Sequence, residues 1–292
     1  MQESLYTLID PVKGTTAFKI WDFETGAEFE PLQRQCYYSI IWVKSGKGRL
    51  NVDFSEYDFG RQTLFFFSPY QPYKLTPFEN LQGTAICFHS DFFCLHTHQK
   101  EIACNGILFN NIYESPFLQV VEKDQPLFGQ TIEQMSAEIQ NKSLAQHELL
   151  VSYLKIFLIN ASRAKVAQCP LAKLREGNSK EPFILQNLKD AIEEHYRSER
   201  APTAYADMLN ISPKALAKLA RNYFNKTLTD LIAERIVIEA KRELYLTSKS
   251  VKEIAFYLGF NDEYYFSRFF KNNTDVSPQY YRERVGFAKG EK

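Results

Sequence analysis

A pattern that occurs twice in the last third of the chain constrains the fold more than any other feature of the sequence. Residues 206–212 match residues 255–261 at an offset of 49 positions. Each copy has a small residue, a leucine three positions later, a residue that tolerates a left-handed backbone (Asn210 or Gly259), and then an apolar residue. A left-handed residue ends one helix and turns the chain sharply into the next. The pattern therefore predicts two pairs of helices, each pair joined by a tight turn.

The second helix of each pair has an apolar side and a polar side. After one inserted residue the copies align again, with Leu216 and Leu219 matching Phe266 and Phe269, Lys218 matching Arg268, and Arg221 matching Lys271. The inner sides are predicted to contain Leu216, Leu219, Tyr265, Phe266, Phe269 and Phe270.

The outer sides of these two helices suit DNA. An exposed helix fits the major groove, where Arg and Lys side chains bond guanine edges and phosphates. Double-stranded DNA is therefore the predicted partner. The candidate DNA-binding residues are Lys214, Ala217, Lys218, Arg221, Asn261, Glu263, Tyr264, Arg268 and Lys271.

Between the two copies, Thr229–Thr247 is predicted to be one long amphipathic helix that sets the spacing of the two outer faces. Its apolar stripe comprises Ile232, Ile236, Ala240 and Leu244. The alternative is an ordinary helical bundle with solvated charges. A single copy of the pattern would not separate these interpretations, but two copies joined by one helix favour DNA binding.

Part of this region resembles the signature of the AraC/XylS family of transcription regulators. The resemblance is carried by residues 250–271 and 277–282 (SVKEIAFYLGFNDEYYFSRFFK and SPQYYR), and more weakly by residues 211–219. Asn210 stands where glycine is usual in the family, and Ala220 where an aromatic residue is common. The resemblance covers residues 183–287. It implies a transcription activator that contacts RNA polymerase, a cupin-like amino-terminal β-barrel that senses a small-molecule effector, and helices that form a homodimer.

The first 110 residues are predicted to form short β-strands of a small barrel or sandwich. Tyr37–Val43 and Arg49–Phe54 flank a turn-forming segment and are predicted to pair as a hairpin. Thr63–Phe67 and Gly83–His89 are two further predicted strands. The aromatic residues of this region are interpreted as core rather than as the lining of a pocket; they are Phe65, Phe66, Phe67, Tyr70 and Tyr73.

From about residue 127 the apolar spacing becomes helical. Phe128, Ile132, Met135 and Ile139 recur every three or four residues, and Leu144–Val166 forms a second helical pattern. The two helices are predicted to form a hairpin. The second carries more apolar residues than one buried face needs, so a homodimer is expected there; these residues are Leu149, Leu150, Tyr153, Leu154, Phe157 and Leu158.

A polar stretch rich in proline and glycine, Cys169–Pro182, is the predicted linker. We therefore expect an α+β protein of two domains. The first, residues 1–167, combines the cupin-like sensor barrel with the dimerising helices. Residues 168–182 form the linker, and residues 183–287 form the all-α DNA-binding domain.

Alternating Cys and His residues make a metal site geometrically possible. These residues are Cys87, His89, Cys94, His96 and His98. The histidine pair typical of cupin metal motifs is missing from Ile40–Phe67, so the cysteines are interpreted as small buried hydrophobes and no cofactor or metal is predicted. A cupin-type metalloprotein or metalloenzyme with an accessory helical domain remains the alternative.

No Ser/His/Asp set, phosphate-binding glycine loop or pair of carboxylates points to an enzyme. Lys and Arg number 35, as do Asp and Glu, so attraction to DNA must come from local placement of charge. The five irregularly spaced cysteines are typical of reduced thiols. The amino terminus does not resemble a signal peptide, and Leu149–Ala161 is too short to span a bilayer. We therefore expect a cytoplasmic protein that does not contact membranes. The effector is not identified by any pattern in the sequence.

Overall fold

The computed structural model describes residues 5–10, 14–53, 55–95, 106–141, 143–168 and 181–285. The chain divides into two compact units. One unit contains the strands and the first two helices, and the other contains the helices that follow residue 180. The predicted linker falls almost entirely at residues 169–180, which lie outside the described residues.

The first unit contains two antiparallel sheets. Six strands pair in the order β1-β2-β8-β3-β6-β9, and three pair in the order β5-β4-β7. Among the described residues the strands remain two sheets and do not close into one barrel. The strands are β1 (Leu5–Ile9), β2 (Thr16–Phe23), β3 (Tyr38–Ser45), β4 (Gly48–Val52), β5 (Ser55–Phe59), β6 (Thr63–Phe67), β7 (Tyr73–Pro77), β8 (Gln82–Phe88) and β9 (Phe117–Gln119).

The hairpin predicted from Tyr37–Val43 and Arg49–Phe54 is wrong. Strand β3 pairs with β8 and β6, whereas β4 pairs with β7 and β5 in the other sheet. Gly46, with a φ of 93°, lies where the chain leaves one sheet for the other. A side chain on Gly48 would place Cβ 2.5 Å from the carbonyl oxygen of Thr76, so this glycine permits the close approach of β7.

Aromatic side chains fill the space between the two sheets. The rings of Phe67 and Tyr73 stack with centroids 3.8 Å apart, and Phe59 meets Phe65 edge-on. The whole predicted aromatic cluster is buried, so its interpretation as core is confirmed. Burial of such rings is a major contribution to the stability of a small sheet unit.

Helices α1 (Gln125–Gln140) and α2 (Gln146–Gln168) pack together on the other face of the six-stranded sheet. The ring of Phe128 lies 5.0 Å from that of Phe157 and 6.2 Å from that of Trp42. The predicted helical hairpin is therefore present, and it covers the sheet.

The second unit is helical throughout its described residues. Its helices are α3 (Glu181–His195), α4 (Pro202–Met208), α5 (Pro213–Phe224), α6 (Leu228–Leu246), α7 (Val251–Tyr257), α8 (Glu263–Thr274) and α9 (Pro278–Val285). The long helix α6 begins one residue before the predicted Thr229–Thr247, and its predicted apolar stripe is buried. Reciprocal capping boxes start α6 at Thr227 and α7 at Ser250. None of the helices in the described ranges combines the length and apolar character needed to cross a membrane.

Candidate nucleic-acid interface

The turns of the two helix pairs, α4–α5 and α7–α8, have the same backbone geometry. Asn210 and Gly259 are both left-handed, with φ of 53° and 77°. In each pair the amide that follows this residue donates back to the first helix, from Ile211 to the Ala206 carbonyl at 3.0 Å and from Phe260 to the Ala255 carbonyl at 2.9 Å. The two segments matched by the sequence pattern are therefore structurally equivalent.

Each second helix starts with a side-chain cap that the repeated pattern alone does not predict. The Ser212 hydroxyl accepts a hydrogen bond from the Ala215 amide at 3.2 Å, and the Asp262 carboxylate accepts one from the Tyr265 amide at 2.7 Å. These caps fix where α5 and α8 begin and hence which side chains face outward. The signal was present in the sequence, since Ser and Asp are favoured residues at a helix start.

The inner sides of α5 and α8 follow a spacing of four residues. The buried residues are Leu216, Ala220 and Phe224 in α5, and Phe266, Phe270 and Thr274 in α8. Leu219 and Phe269 are half-buried. The placement of Tyr265 on the inner side is wrong, because its side chain is 52% exposed. It precedes the buried stripe by one position, about 100° around the helix, and its ring centroid lies 5.8 Å from that of Phe260.

The predicted DNA-binding residues lie at or near the outer surface of the two helix pairs. Tyr264 is the most exposed of the large hydrophobic residues on α8, at 81%. Glu263 is half-buried. The other candidates are exposed, and they are Lys214, Ala217, Lys218, Arg221, Asn261, Arg268 and Lys271.

The two outer faces carry different charge. Helix α5 has three basic residues and no acidic residue. Helix α8 has Arg268 and Lys271, opposed by its own Glu263 and by the capping Asp262. An unopposed cluster of cations attracts phosphate over a distance, whereas a balanced face depends on directional contacts.

Arg268 makes no ion pair with a carboxylate in the part of the chain that the structure describes. Its guanidinium carbon lies 6.0 Å from the ring centroid of Tyr265, on the same helix. One oxygen of the Asp262 carboxylate, Oδ2, accepts the capping hydrogen bond from the Tyr265 amide. Arg268 is therefore exposed and available to a ligand.

The Cys and His candidates for a metal site are only partly within the described residues. Cys87 is buried, its sulfur lies 3.4 Å from the Ser39 hydroxyl, and burial raises the pKa of its thiol to about 11. A thiol held neutral in this way is a poor metal ligand. His89 lies beside Asp91, with Nδ1 3.1 Å from the carboxylate, and Cys94 is half-buried.

His96 and His98 lie outside the described residues, so the second alternating segment is not tested. Within the described ranges no three potential ligands come together. The absence of a cofactor stays a prediction.

Comparison with known proteins shows which kind of domain the second unit contains. A family model described as a helix-turn-helix domain matches residues 205–284, which include both helix pairs except for the first three residues of α4. The Msm operon regulatory protein of Streptococcus mutans is 30% identical over 125 residues, covering 42% of this chain and 44% of that protein. The raffinose operon regulator RafR of Pediococcus pentosaceus is 30% identical over 95 residues, covering 32% of this chain and 34% of its own length. The chain thus spans less than half of each of these two relatives.

Other matches extend over more of the chain. The transcriptional activator RhaS of an Enterobacter species is 26% identical over 239 residues, covering 73% of this chain and 79% of RhaS. The crystal structure of ToxT from Vibrio cholerae covers 99% of this chain and 98% of its own, at 15% identity and a TM-score of 0.39.

The resemblance that the sequence predicts is thereby confirmed. Residues 205–284 match a helix-turn-helix domain, and the relatives that share this region are AraC-type transcription regulators.

Proposed function

We propose that this protein is a sequence-specific DNA-binding transcription regulator in which α4–α5 and α7–α8 are two helix-turn-helix motifs. The observation that carries this proposal is the repeated turn at Asn210 and Gly259, each followed by a helix with an exposed polar face. In a helix-turn-helix the second helix lies in the major groove and its exposed side chains contact base edges and phosphates. We therefore assign α5 and α8 as the two reading helices.

The two reading helices have different proposed roles. On α5, Lys214, Lys218 and Arg221 supply attraction to phosphates, and Ala217 leaves room for the close approach of a base pair. On α8, Arg268 pairs with a guanine edge, which is the commonest specific contact of arginine in the major groove. Asn261, Glu263 and Tyr264 lie around the start of α8, where such helices contact base edges, and Lys271 lies nearer its end and contacts a phosphate.

The first unit is proposed to sense a small-molecule effector and so to control activation. Support comes from relatives described as operon regulators and a transcriptional activator. The cupin-like character implied by the resemblance is retained as a proposal, with two sheets packed around an aromatic core as its structural basis. Contact with RNA polymerase belongs to the same proposal.

A homodimer is proposed through helix α2. Four of the six apolar residues that suggested it are buried within the unit, namely Leu150, Leu154, Phe157 and Leu158. The apolar surface that remains comprises Leu149, 39% exposed, the half-buried Tyr153, and Ile156, 44% exposed. These positions are spaced by four and three residues, so they share one side of α2.

Selection from a library of random DNA duplexes tests the function. Full-length protein should enrich a defined sequence, and its affinity for that duplex should fall steeply as salt rises, since cations on α5 displace counterions from phosphates. Equal affinity for enriched and scrambled duplexes would contradict a sequence-specific regulator. Stoichiometric metal that survives chelator treatment, with no enriched sequence, would instead favour a cupin-type metalloprotein.

A further inference from the structure

A short segment ahead of helix α4 contacts both helix pairs. We call Tyr196–Arg200, which joins α3 to the residue before α4, the bridging segment. The Tyr205 hydroxyl, on α4, donates a hydrogen bond of 3.0 Å to the carbonyl oxygen of Glu199. Tyr205 is fully buried, so this bond ties the segment firmly to the first pair.

The same segment holds the turn of the second pair. The Arg200 guanidinium donates a hydrogen bond of 3.1 Å to the carbonyl oxygen of Leu258 and stacks over the ring of Phe260 at 3.7 Å. The Arg197 guanidinium lies 4.3 Å from the ring centroid of Tyr257. An arginine that both donates to a carbonyl and stacks on a ring is fixed in position and direction.

Phe260 passes this contact on to the second reading helix. Its ring lies 5.1 Å from that of Phe266 and 5.2 Å from that of Phe269, both on α8. Arg200 therefore rests on the residue against which α8 packs. A shift of Arg200 or of the bridging segment therefore changes the position of the residue against which α8 packs.

The bridging segment is also anchored to the connecting helix α6. Arg235 donates a hydrogen bond of 2.7 Å to Glu193 of α3, and its guanidinium lies 4.2 Å from the ring centroid of Tyr196. Directional polar contacts thus join α3, α4, α6 and the second turn. Packing of apolar helices alone permits small rotations and sliding, whereas a set of directed bonds does not.

We infer that Arg200 is a positioning residue that sets the separation between the two reading helices, so that helix α6 alone does not determine the spacing of the DNA half-sites. This inference rests on the proposed function. One extra base pair moves a half-site by about 3.4 Å and rotates it by about 35°. Two rigidly linked reading helices cannot bind both half-sites of such DNA at the same time, whereas two loosely linked reading helices can.

The test compares full-length wild type with Arg200→Ala in selection from duplexes whose random tract spans several helical turns. The wild type should enrich two sequence blocks at one separation. The variant should enrich the same two blocks with separations that differ by one or more base pairs. Inserting one base pair into the wild-type duplex should cost the wild type about tenfold or more in affinity and the variant less than about threefold.

Arg242→Ala is the matched control. This arginine lies on α6, is 53% exposed and pairs with Glu239. Glu239 also accepts a hydrogen bond from Arg235 through its other oxygen, and that bond remains when Arg242 is removed. It should retain the wild-type separation. Should Arg200→Ala lose helical content, Arg200→Lys and Tyr205→Phe decide, because each removes one contact of the segment while conserving most of the side chain. Both should broaden the separations.

An unchanged single separation in the folded Arg200 and Tyr205 variants would overturn the inference and leave α6 as the spacer. Broadening that is equal in Arg242→Ala would overturn it as well. Failure of the wild type to enrich any sequence blocks would overturn the proposed function, and with it this inference.

Discussion

The carbonyl oxygen of Arg197 faces Gly259 so closely that a methyl group on Gly259 would come within 1.9 Å of it. Gly259 is also left-handed, with a φ of 77°. Two independent requirements, backbone conformation and lack of a side chain, therefore coincide at one residue. The equivalent Asn210 shares only the first requirement, since asparagine tolerates a left-handed backbone.

Gly259→Ala should lower the free energy of unfolding of the helical unit by about 2 kcal/mol or more. Alanine is strained in a left-handed backbone, and its methyl group would clash with the Arg197 carbonyl oxygen. Asn210→Gly should change stability by less than about 1 kcal/mol, since relief of backbone strain is offset by a freer unfolded chain. The molecule offers two probes for urea unfolding. Both tryptophans, Trp21 and Trp42, lie in the first unit, whereas circular dichroism is dominated by helices.

The circular dichroism transition of Gly259→Ala should shift to lower urea while the tryptophan transition stays near that of the wild type. A Gly259→Ala protein as stable as wild type by both probes would show that the turn relaxes and that Gly259 is not required. A large loss in Asn210→Gly would contradict the equivalence of the two turns.

Local patterns in the sequence predicted single elements well. Strand β6 has the predicted bounds, because the β-branched and aromatic run ends at Ser68 and Pro69. Helix α6 is within one residue of its predicted start and end, since its apolar stripe repeats every four residues from Ile232 to Leu244. The wrong predictions concern which strands pair with each other and which side of a helix is buried. The pairing of β3 is decided by β8, some forty residues later in the chain, and no local pattern carries that information.

In the candidate interface, too, local patterns are predictable from the sequence and long-range contacts are not. The apolar period of α8 predicts which side of the helix is buried. It does not predict the exposure of a residue at the edge of the stripe, such as Tyr265, which is 52% exposed. The contacts of Arg200 join residues 58 positions apart. Such contacts depend on the packing of four helices, which sequence periodicity does not specify.

The fragment 181–292 should fold alone and bind DNA, because α6 and the two helix pairs have their own buried core. Binding should weaken as salt rises. Lys218→Ala within the fragment should make the slope of log affinity against log salt shallower by about one unit, since one phosphate contact is lost. Circular dichroism and titrations at several salt concentrations measure both. An unfolded fragment, or an affinity indifferent to salt, would contradict this prediction.

The α2 dimer is tested by Ile156→Glu. Placing a carboxylate in an apolar contact between two copies should cost about 2 kcal/mol or more and convert a dimer to a monomer at micromolar concentration. Gln134→Glu, at an exposed position of α1, adds the same charge elsewhere and should leave the dimer intact. Sedimentation of all three proteins provides the measurement. A wild type that sediments as a monomer at micromolar concentration would defeat the proposal.

Arg268 and Lys271 should have separable effects on DNA binding. Arg268→Ala should cost about 1–3 kcal/mol at the selected duplex and relax preference at one base pair, because a bidentate contact to guanine is lost. Lys271→Ala should weaken binding to all sequences about equally and make the slope of log affinity against log salt shallower by about one unit.

The competing interpretation is that Arg268 pairs with Asp262 or Glu263 and stabilises the fold. The structure favours the first interpretation, since Arg268 is exposed and pairs with neither carboxylate among the described residues. Titrations against single-base variants, beside a thermal melt, separate the two. A lowered melting temperature with an unchanged base preference would exclude a base-reading role for Arg268.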